Sequence, residues 1–443
     1  MYRTHRERLL EALNETQTAA VIPTAHHQTR NADTEYRYRP GSDFWYLTGF
    51  GEPDSVLVLL PLGAGGEGEV RSVLFLRPRD PKLETWTGRR VGVERAPEVL
   101  GVDEARPIEG LWSDLPNLLK DYERVLYPSG ISETDDREML AVMARLRRTA
   151  RAGIMPPTEL VDPSPLLHEL RLRKTDAELE LMRKSAAITA EAHLAAMAAA
   201  APGVNECEID ALLEYTFRRR GSTGAAYTPI VAGGNNACIL HYVENDAPLV
   251  DGELLLIDAG AEVEHYATDV TRTFPVSGTF SPEQREIYEL VLEAENAAIE
   301  VARPGVPHKL IHETATDVLV RGLLRLGLVE GTEESVREDE SYRRFFMHGT
   351  SHWLGLDVHD CGAYSVDGES RELEPGMVFT VEPGLYIEAD DESVEERWRG
   401  IGVRIEDDVL VTKDGHENLT AAIPRTVEEV EAACRRAHLE PVS

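Results

Sequence analysis

Four carboxylates and one imidazole in the second half of this chain, Asp258, Asp269, His352, Glu382 and Glu406, lie in or beside apolar, strand-like runs. Asp258 closes Leu-Leu-Leu-Ile-Asp-Ala-Gly and Asp269 sits in Tyr-Ala-Thr-Asp-Val-Thr-Arg-Thr-Phe. Glu382 falls in Val-Phe-Thr-Val-Glu-Pro-Gly and Glu406 in Gly-Val-Arg-Ile-Glu-Asp-Asp-Val. An acid at the end of a hydrophobic strand is costly to bury unless something positive sits among its neighbours. The chain must therefore fold so that these runs converge on cations, and the five residues read as the ligand set of a two-metal hydrolase.

At 443 residues the chain exceeds what one core usually organises, so two domains are expected, each able to bury an interior. No stretch approaches the roughly 20 apolar residues of a membrane span, and the start, Met-Tyr-Arg-Thr-His-Arg-Glu-Arg, is charged where a secretory signal is apolar. A cytoplasmic setting is expected. Cys207, Cys238, Cys361 and Cys434 lie far apart without metal or redox spacing, which fits free thiols in a reducing compartment. A formal charge of −33 argues against nucleic acid or an anionic membrane as partner, because phosphate binding needs a basic surface. Acidic runs such as Glu338-Asp339-Glu340 and Asp390-Asp391-Glu392 lack apolar neighbours and read as a solvated face.

Met155-Pro156-Pro157 and Asp162-Pro163-Ser164-Pro165 interrupt the pattern, and the domain boundary is placed near Leu172, giving domains 1–172 and 173–443. Before it, β-rich runs (19–23, 55–60, 72–76, 124–127) alternate with helical segments such as 137–151, which predicts an α/β domain with a mixed sheet. After it, Thr175-Asp-Ala-Glu and Ser281-Pro-Glu-Gln read as capping boxes opening helices to about Ala200 and Ala302, and a third helix is expected from His308 to about Leu326. The whole reads as α/β of the α+β kind.

If 254–258 and 268–274 form a hairpin centred between Val263 and Glu264, Asp258 stands directly opposite Asp269. Opposed Cβ atoms lie about 4.5 to 5.5 Å apart, a separation that metals about 3.5 to 4 Å apart would suit. The turn lacks Asn-Gly chemistry, so a longer loop is an equal alternative. Arg404 and Glu406, two residues apart, share a strand face; taken alone, that segment reads best as a surface Arg–Glu alternation. His348, His352 and His359 fall within twelve residues, without the glutamate of a zincin helix, and His241 lies well upstream.

These residues carry a resemblance. The run 345–360, together with Asp258-Ala-Gly, Asp269-Val-Thr-Arg-Thr-Phe, Thr380-Val-Glu-Pro-Gly-Leu-Tyr and Arg404-Ile-Glu-Asp-Asp, resembles the aminopeptidase P family, the proline-specific branch of the creatinase and methionine aminopeptidase superfamily. Arg30-Asn-Ala-Asp-Thr-Glu-Tyr, Ser42-Asp-Phe-Trp-Tyr-Leu-Thr-Gly-Phe and Trp86-Thr-Gly-Arg-Arg are similar to its amino-terminal part, so the resemblance spans nearly the whole chain. It implies a creatinase-like amino-terminal domain, serving oligomerisation and capping the cleft, and a pita-bread catalytic domain. It also implies two divalent metals at Asp258, Asp269, His352, Glu382 and Glu406, with Asp269 and Glu406 bridging. Mostly oxygen ligands with one imidazole favour Mn²⁺, with Zn²⁺ or Co²⁺ as competitors.

The implied reaction removes the amino-terminal residue of peptides with proline second, by metal-activated hydroxide, with Glu382 as general base. By the same resemblance His359 and His241 contact the substrate and stabilise the tetrahedral intermediate, His348 lines the proline pocket and Arg404 supports the site. For these four a purely structural role is the competing reading. Tyr386 is expected at the cleft or as a packed strand aromatic. Trp86 is expected to reach a neighbouring subunit's site, which implies a tetramer or dimer. Two alternatives remain: a prolidase, which takes only Xaa-Pro dipeptides on the same ligands, and a metal-free peptide-binding module, which should have lost ligands that this chain keeps.

Overall fold

The computed structural model describes residues 1–61, 71–149 and 156–436. The expected helix end at Arg151 and the break at Met155 lie outside the described residues. The chain divides into two compact units, Met1–Arg171 and Leu172–Ser443.

The first unit is built on one six-stranded sheet. Its strands are β1 (Thr18–Pro23), β2 (Val56–Leu59), β3 (Ser72–Leu76), β4 (Glu104–Pro107), β5 (Arg124–Leu126) and β6 (Glu159–Val161), in the order β4-β3-β2-β1-β5-β6. β1 pairs antiparallel to β2 and parallel to β5, so the sheet is mixed, as the alternation of strand and helix patterns predicts. Alternate residues Val21, Val58, Val73 and Phe75 pack with Leu115 and Leu119 of α1 (Leu111–Leu119) and Met139 and Val142 of α2 (Glu133–Thr149), all buried.

In the second unit, α3 (Asp176–Ala199) opens on the capping box of Thr175 and Glu178, α4 is Glu206–Arg219, α5 (Pro282–Glu300) opens on that of Ser281 and Gln284, and α6 is Lys309–Leu326. Each box satisfies two backbone donors that the first turn leaves orphaned. The helices bury Ala192, Ile287, Val291, Ala315 and Leu319 against strands that carry the acids. Among the described residues no helix is long and apolar enough to cross a membrane.

Those strands form two antiparallel systems. The first contains β7 (Ile230–Gly233), β8 (Leu254–Asp258), β9 (Ala261–Val263), β10 (Tyr266–Ala267) and β11 (Thr271–Pro275). Asp258 pairs with Thr271, and Val263 with Tyr266, so one register runs from the open end of this hairpin to its tip. The centre falls between Glu264 and His265, one residue beyond the expected point. Glu264 and His265 both take positive φ, 50° and 65°, which is the tight two-residue turn that matches strand twist, made here without Asn-Gly. The expectation that Asp258 faces Asp269 is thereby corrected: Asp269 lies opposite Gly260, diagonal to Asp258 on the same face. A Cβ on Gly260 would come within 1.6 Å of the Thr268 carbonyl oxygen, so only glycine lets the two chains pass this closely.

The second system contains β12 (Val378–Val381), β13 (Gly384–Ile387), β14 (Ile401–Arg404) and β15 (Asp407–Val411). Val381 pairs with Asp407 and Gly384 with Arg404, so the register carries straight through the interruption and sets Glu382 opposite Glu406. The direct opposition expected of the first acid pair thus belongs to the second. The Glu406 amide donates to the Thr271 carbonyl at 3.1 Å, joining the two systems where the acids lie.

Candidate active site

Strand ends deliver the acids. Asp258 is the last residue of β8, Asp269 lies in the break between β10 and β11, Glu382 follows β12, and Glu406 sits between β14 and β15. His352 comes from an irregular segment whose backbone is clamped to β12 by the bond from the Thr380 amide to the His352 carbonyl, 3.0 Å. All five line one cavity of about 420 Å³, together with His241, His348, His359 and Arg404. Asp269, His352 and Glu406 each offer a ligand atom within 4.8 Å of the others'. His352 Nε2 lies 3.3 Å from Asp269 and 3.6 Å from Glu382.

Burial pushes the Glu382 carboxyl up to about 7 against the opposing pull of His352, and burial reinforced by the neighbouring acids pushes that of Glu406 well above its ordinary range. Burial likewise raises Asp258, although Arg404 opposes the rise. Burial works against charging His352, yet the hydrogen bond and charge of Asp269 outweigh it and lift the imidazole to about 9. Carboxylates this close resist ionising together, and a divalent cation among them reverses that balance. An oxygen-rich donor set with one imidazole, crowded with like charge, fits such a cation.

A second layer holds the donors. Arg404 Nη2 donates to Asp258 Oδ2 at 2.7 Å, Nη1 to the Tyr386 hydroxyl at 3.0 Å, and Nε to Thr271 Oγ1 at 3.0 Å. Thr271 Oγ1 in turn donates to Glu406 Oε2 at 2.6 Å, so one threonine ties Arg404 to Glu406. Arg404 is 4% and Glu406 2% exposed, which overturns the reading of this segment as a surface alternation. The register that runs through the break keeps Arg404 and Glu406 on one face, and residues 401–411 are buried throughout, so an alternation of charge here marks a site and not a surface.

The same network fixes a tautomer. The guanidinium can only donate to Tyr386, so the Tyr386 hydroxyl donates to His348 Nε2 at 2.8 Å, and the His348 proton sits on Nδ1, bonded to the Gly349 carbonyl at 2.6 Å. Burial, helped by Arg404, holds this imidazole down at about 4. Both ring nitrogens of His348 are engaged by the protein, leaving its ring as a neutral wall of the cavity.

Tyr386, 2% exposed, packs with Ile230, Ala232 and Leu256 and presents its hydroxyl to Arg404 and His348. It is the packed strand aromatic of the two readings. Trp86 lies on a short helix of the first unit, Pro81–Thr87, and is 87% exposed. His241 and His359 are exposed to the cavity, and His359 stands edge-on to His352 with ring centroids 4.4 Å apart.

Sequence reasoning missed Tyr227, whose hydroxyl donates to Asp258 Oδ1 at 2.6 Å, and Asp408, which accepts from the Asp269 amide at 3.2 Å. It also missed the apolar lining of Ile230, Leu240 and Val243. Thr271 was within reach, lying two residues from Asp269 on one strand face. Tyr227 had no such signal, since Gly-Ala-Ala-Tyr-Thr-Pro contains no acid or imidazole.

Comparison with known proteins agrees with this geometry. Residues 180–413 match the model of metallopeptidase family M24, and residues 2–127 match the amino-terminal domain of aminopeptidase P. The chain is 44% identical over 431 residues to an Xaa-Pro aminopeptidase of Escherichia coli (strain K12), covering 97% of this chain and 96% of that one. It is 45% identical over 414 residues to the Xaa-Pro aminopeptidase of Haemophilus influenzae, covering 94% and 92%. Among solved structures, an aminopeptidase of Pseudomonas aeruginosa superposes with a TM-score of 0.95 at 48% identity, covering 99% of this chain and 98% of that one. A zinc-substituted E. coli aminopeptidase P in complex with product superposes with a TM-score of 0.93 at 44% identity, covering 98% of each. The chain belongs to metallopeptidase family M24, in its aminopeptidase P branch.

Proposed function

We propose that the protein is an Xaa-Pro aminopeptidase that releases the first residue of peptides with proline second, using two divalent metal ions held by Asp258, Asp269, His352, Glu382 and Glu406. The observation that carries this reading is the convergence of those five donors, four acids from strand ends or breaks and one imidazole from an irregular segment, on one cavity. When bound, the ions supply the charge that polarises the scissile carbonyl and makes a water nucleophilic near neutral pH. Glu382, facing the cavity beside His352, takes a proton from the nucleophile and delivers it to the leaving proline nitrogen. His241 and His359, exposed to the cavity, donate to the substrate carbonyl as negative charge develops. His348, locked neutral, and the apolar Leu240 and Val243 offer a surface for the proline ring. Arg404 acts through Asp258 and Glu406, which favours a positioning role.

Mn²⁺ suits the oxygen-rich donors, with Zn²⁺ and Co²⁺ competing. The exposed Trp86 supports a homo-oligomer built through the first unit, as tetramer or dimer. Free thiols at all four cysteines support a reducing, cytoplasmic setting. Neither nucleic acid nor membrane is a partner, given the charge of −33.

Metal-stripped protein returned to Mn²⁺ is expected to release arginine from Arg-Pro-Pro, to leave Arg-Ala-Ala intact, and to lose activity again on chelation; product analysis reads all three. Cleavage of Gly-Pro alone would move the assignment to prolidase, and no cleavage with metal bound would indicate a binding module.

A further inference from the structure

Among the histidines proposed to meet the substrate, His348 is held at both ring nitrogens, whereas His241 and His359 are exposed to the cavity. His359 has no side-chain hydrogen bond among the described residues, and its ring stands edge-on to that of His352. Its placement must therefore come from its own backbone. The next residue, Asp360, is 6% exposed, and its carboxylate meets Lys174 Nζ at 3.1 Å, with both side chains 1% exposed. This is a fully buried ion pair placed one residue from the reaction centre.

The surrounding backbone shows what the pair secures. The Asp360 amide donates to the Trp353 carbonyl at 2.8 Å, closing the loop that starts at His352 and ends at His359. At its other end Lys174 is pinned by its own amide, which donates to the Gly376 carbonyl at 2.8 Å. Inside the loop, a Cβ on Gly355 would come within 2.1 Å of Asp360 Oδ2 and 3.0 Å of Lys174 Cε, so the chain wraps tightly over the pair. A buried pair seldom adds net stability over an apolar replacement, and its best-attested use is to specify one arrangement.

We propose that Lys174 and Asp360 are positioning residues that hold His359 at the substrate, a role that rests on the reading of His359 as a substrate contact. Lys174 touches none of the reacting atoms. It acts on turnover through the loop, and its loss should matter only while His359 is there to be misplaced. A displacement of about 1 Å at such a group can cost about 100-fold in rate.

The test is steady-state kinetics of the metal-loaded enzyme on an Xaa-Pro tripeptide in a double-mutant cycle of Lys174→Met and His359→Ala. The expected result is at least about a tenfold loss of kcat for Lys174→Met alone, with KM moving less, and under twofold further loss when it is added to His359→Ala. The paired change Lys174→Met with Asp360→Leu removes both charges of the pair; with its folding checked by thermal melting, it should still show the kcat loss. Equal losses from Lys174→Met in both backgrounds would overturn the positioning role, as would full kcat in the paired variant. Unchanged turnover in His359→Ala would overturn the proposal at its premise instead.

Discussion

Glu382→Ala and Asp269→Asn are each expected to lower kcat by about 10³-fold or more while the protein stays folded. Glu382 is asked to do two jobs, ligation and proton transfer, and a general base alone contributes about 10² to 10⁴-fold. Asp269 offers its carboxylate within 4.8 Å of donors from His352 and Glu406, and the amide of asparagine keeps the shape while losing the charge. Stability should survive both changes, because like charges surround these positions and removing one relieves repulsion. Circular dichroism, metal content and kcat, measured together, separate a lost ligand from a lost fold. A folded Asp269→Asn enzyme with full activity would sink the two-metal reading.

The largest expected effect on stability lies directly behind the acids. Arg272, 0% exposed, bonds Asp407 Oδ1 at 2.6 Å, the Glu406 carbonyl at 2.7 Å and the Thr271 carbonyl at 2.9 Å. Asp407 also meets Arg425 at 2.9 Å and accepts from Asn418 and Thr420. Arg272→Met is expected to destabilise the protein by about 3 to 5 kcal/mol, the usual cost of leaving one partner of a buried pair uncompensated. The effect should depend on pH in a definite direction. Burial disfavours ionising Asp407, but Arg272 and Arg425 outweigh it and hold its carboxyl down at about 2. A depressed carboxyl contributes stability fully present above its unfolded value near 3.8 and lost as pH falls through about 2. The gap between parent and variant, read by denaturant unfolding, should therefore be widest near neutral pH and narrow below about pH 4. A gap unchanged by pH would contradict the assignment of the effect to this pair.

Composition and local pattern were enough for the helices and strands that use strong punctuation. The capping boxes at Thr175 and Ser281 and the apolar run 72–76 appear in the fold where the sequence placed them. Register was the harder matter. The turn at Glu264-His265 takes positive φ on two residues that carry no turn signature, so arithmetic on spacing alone placed the centre one residue early. The opposition of Glu382 and Glu406 could not be read at all, because a long excursion separates β13 from β14 and nothing local announces its pairing. Burial of Arg404 was likewise illegible in its own segment, since an Arg–Glu alternation looks the same at a surface as it does around a metal site. The donors that hold the acids, Tyr227 above all, become visible only when the strands are assembled.

The most direct test of the two-metal account is a crystal of the Mn²⁺-loaded protein with anomalous scattering recorded at the manganese edge. The account predicts two peaks per chain in the cavity, both within reach of Asp269 and Glu406, with His352 on one of them. A single peak or none, in crystals of protein that still releases arginine from Arg-Pro-Pro, would contradict it.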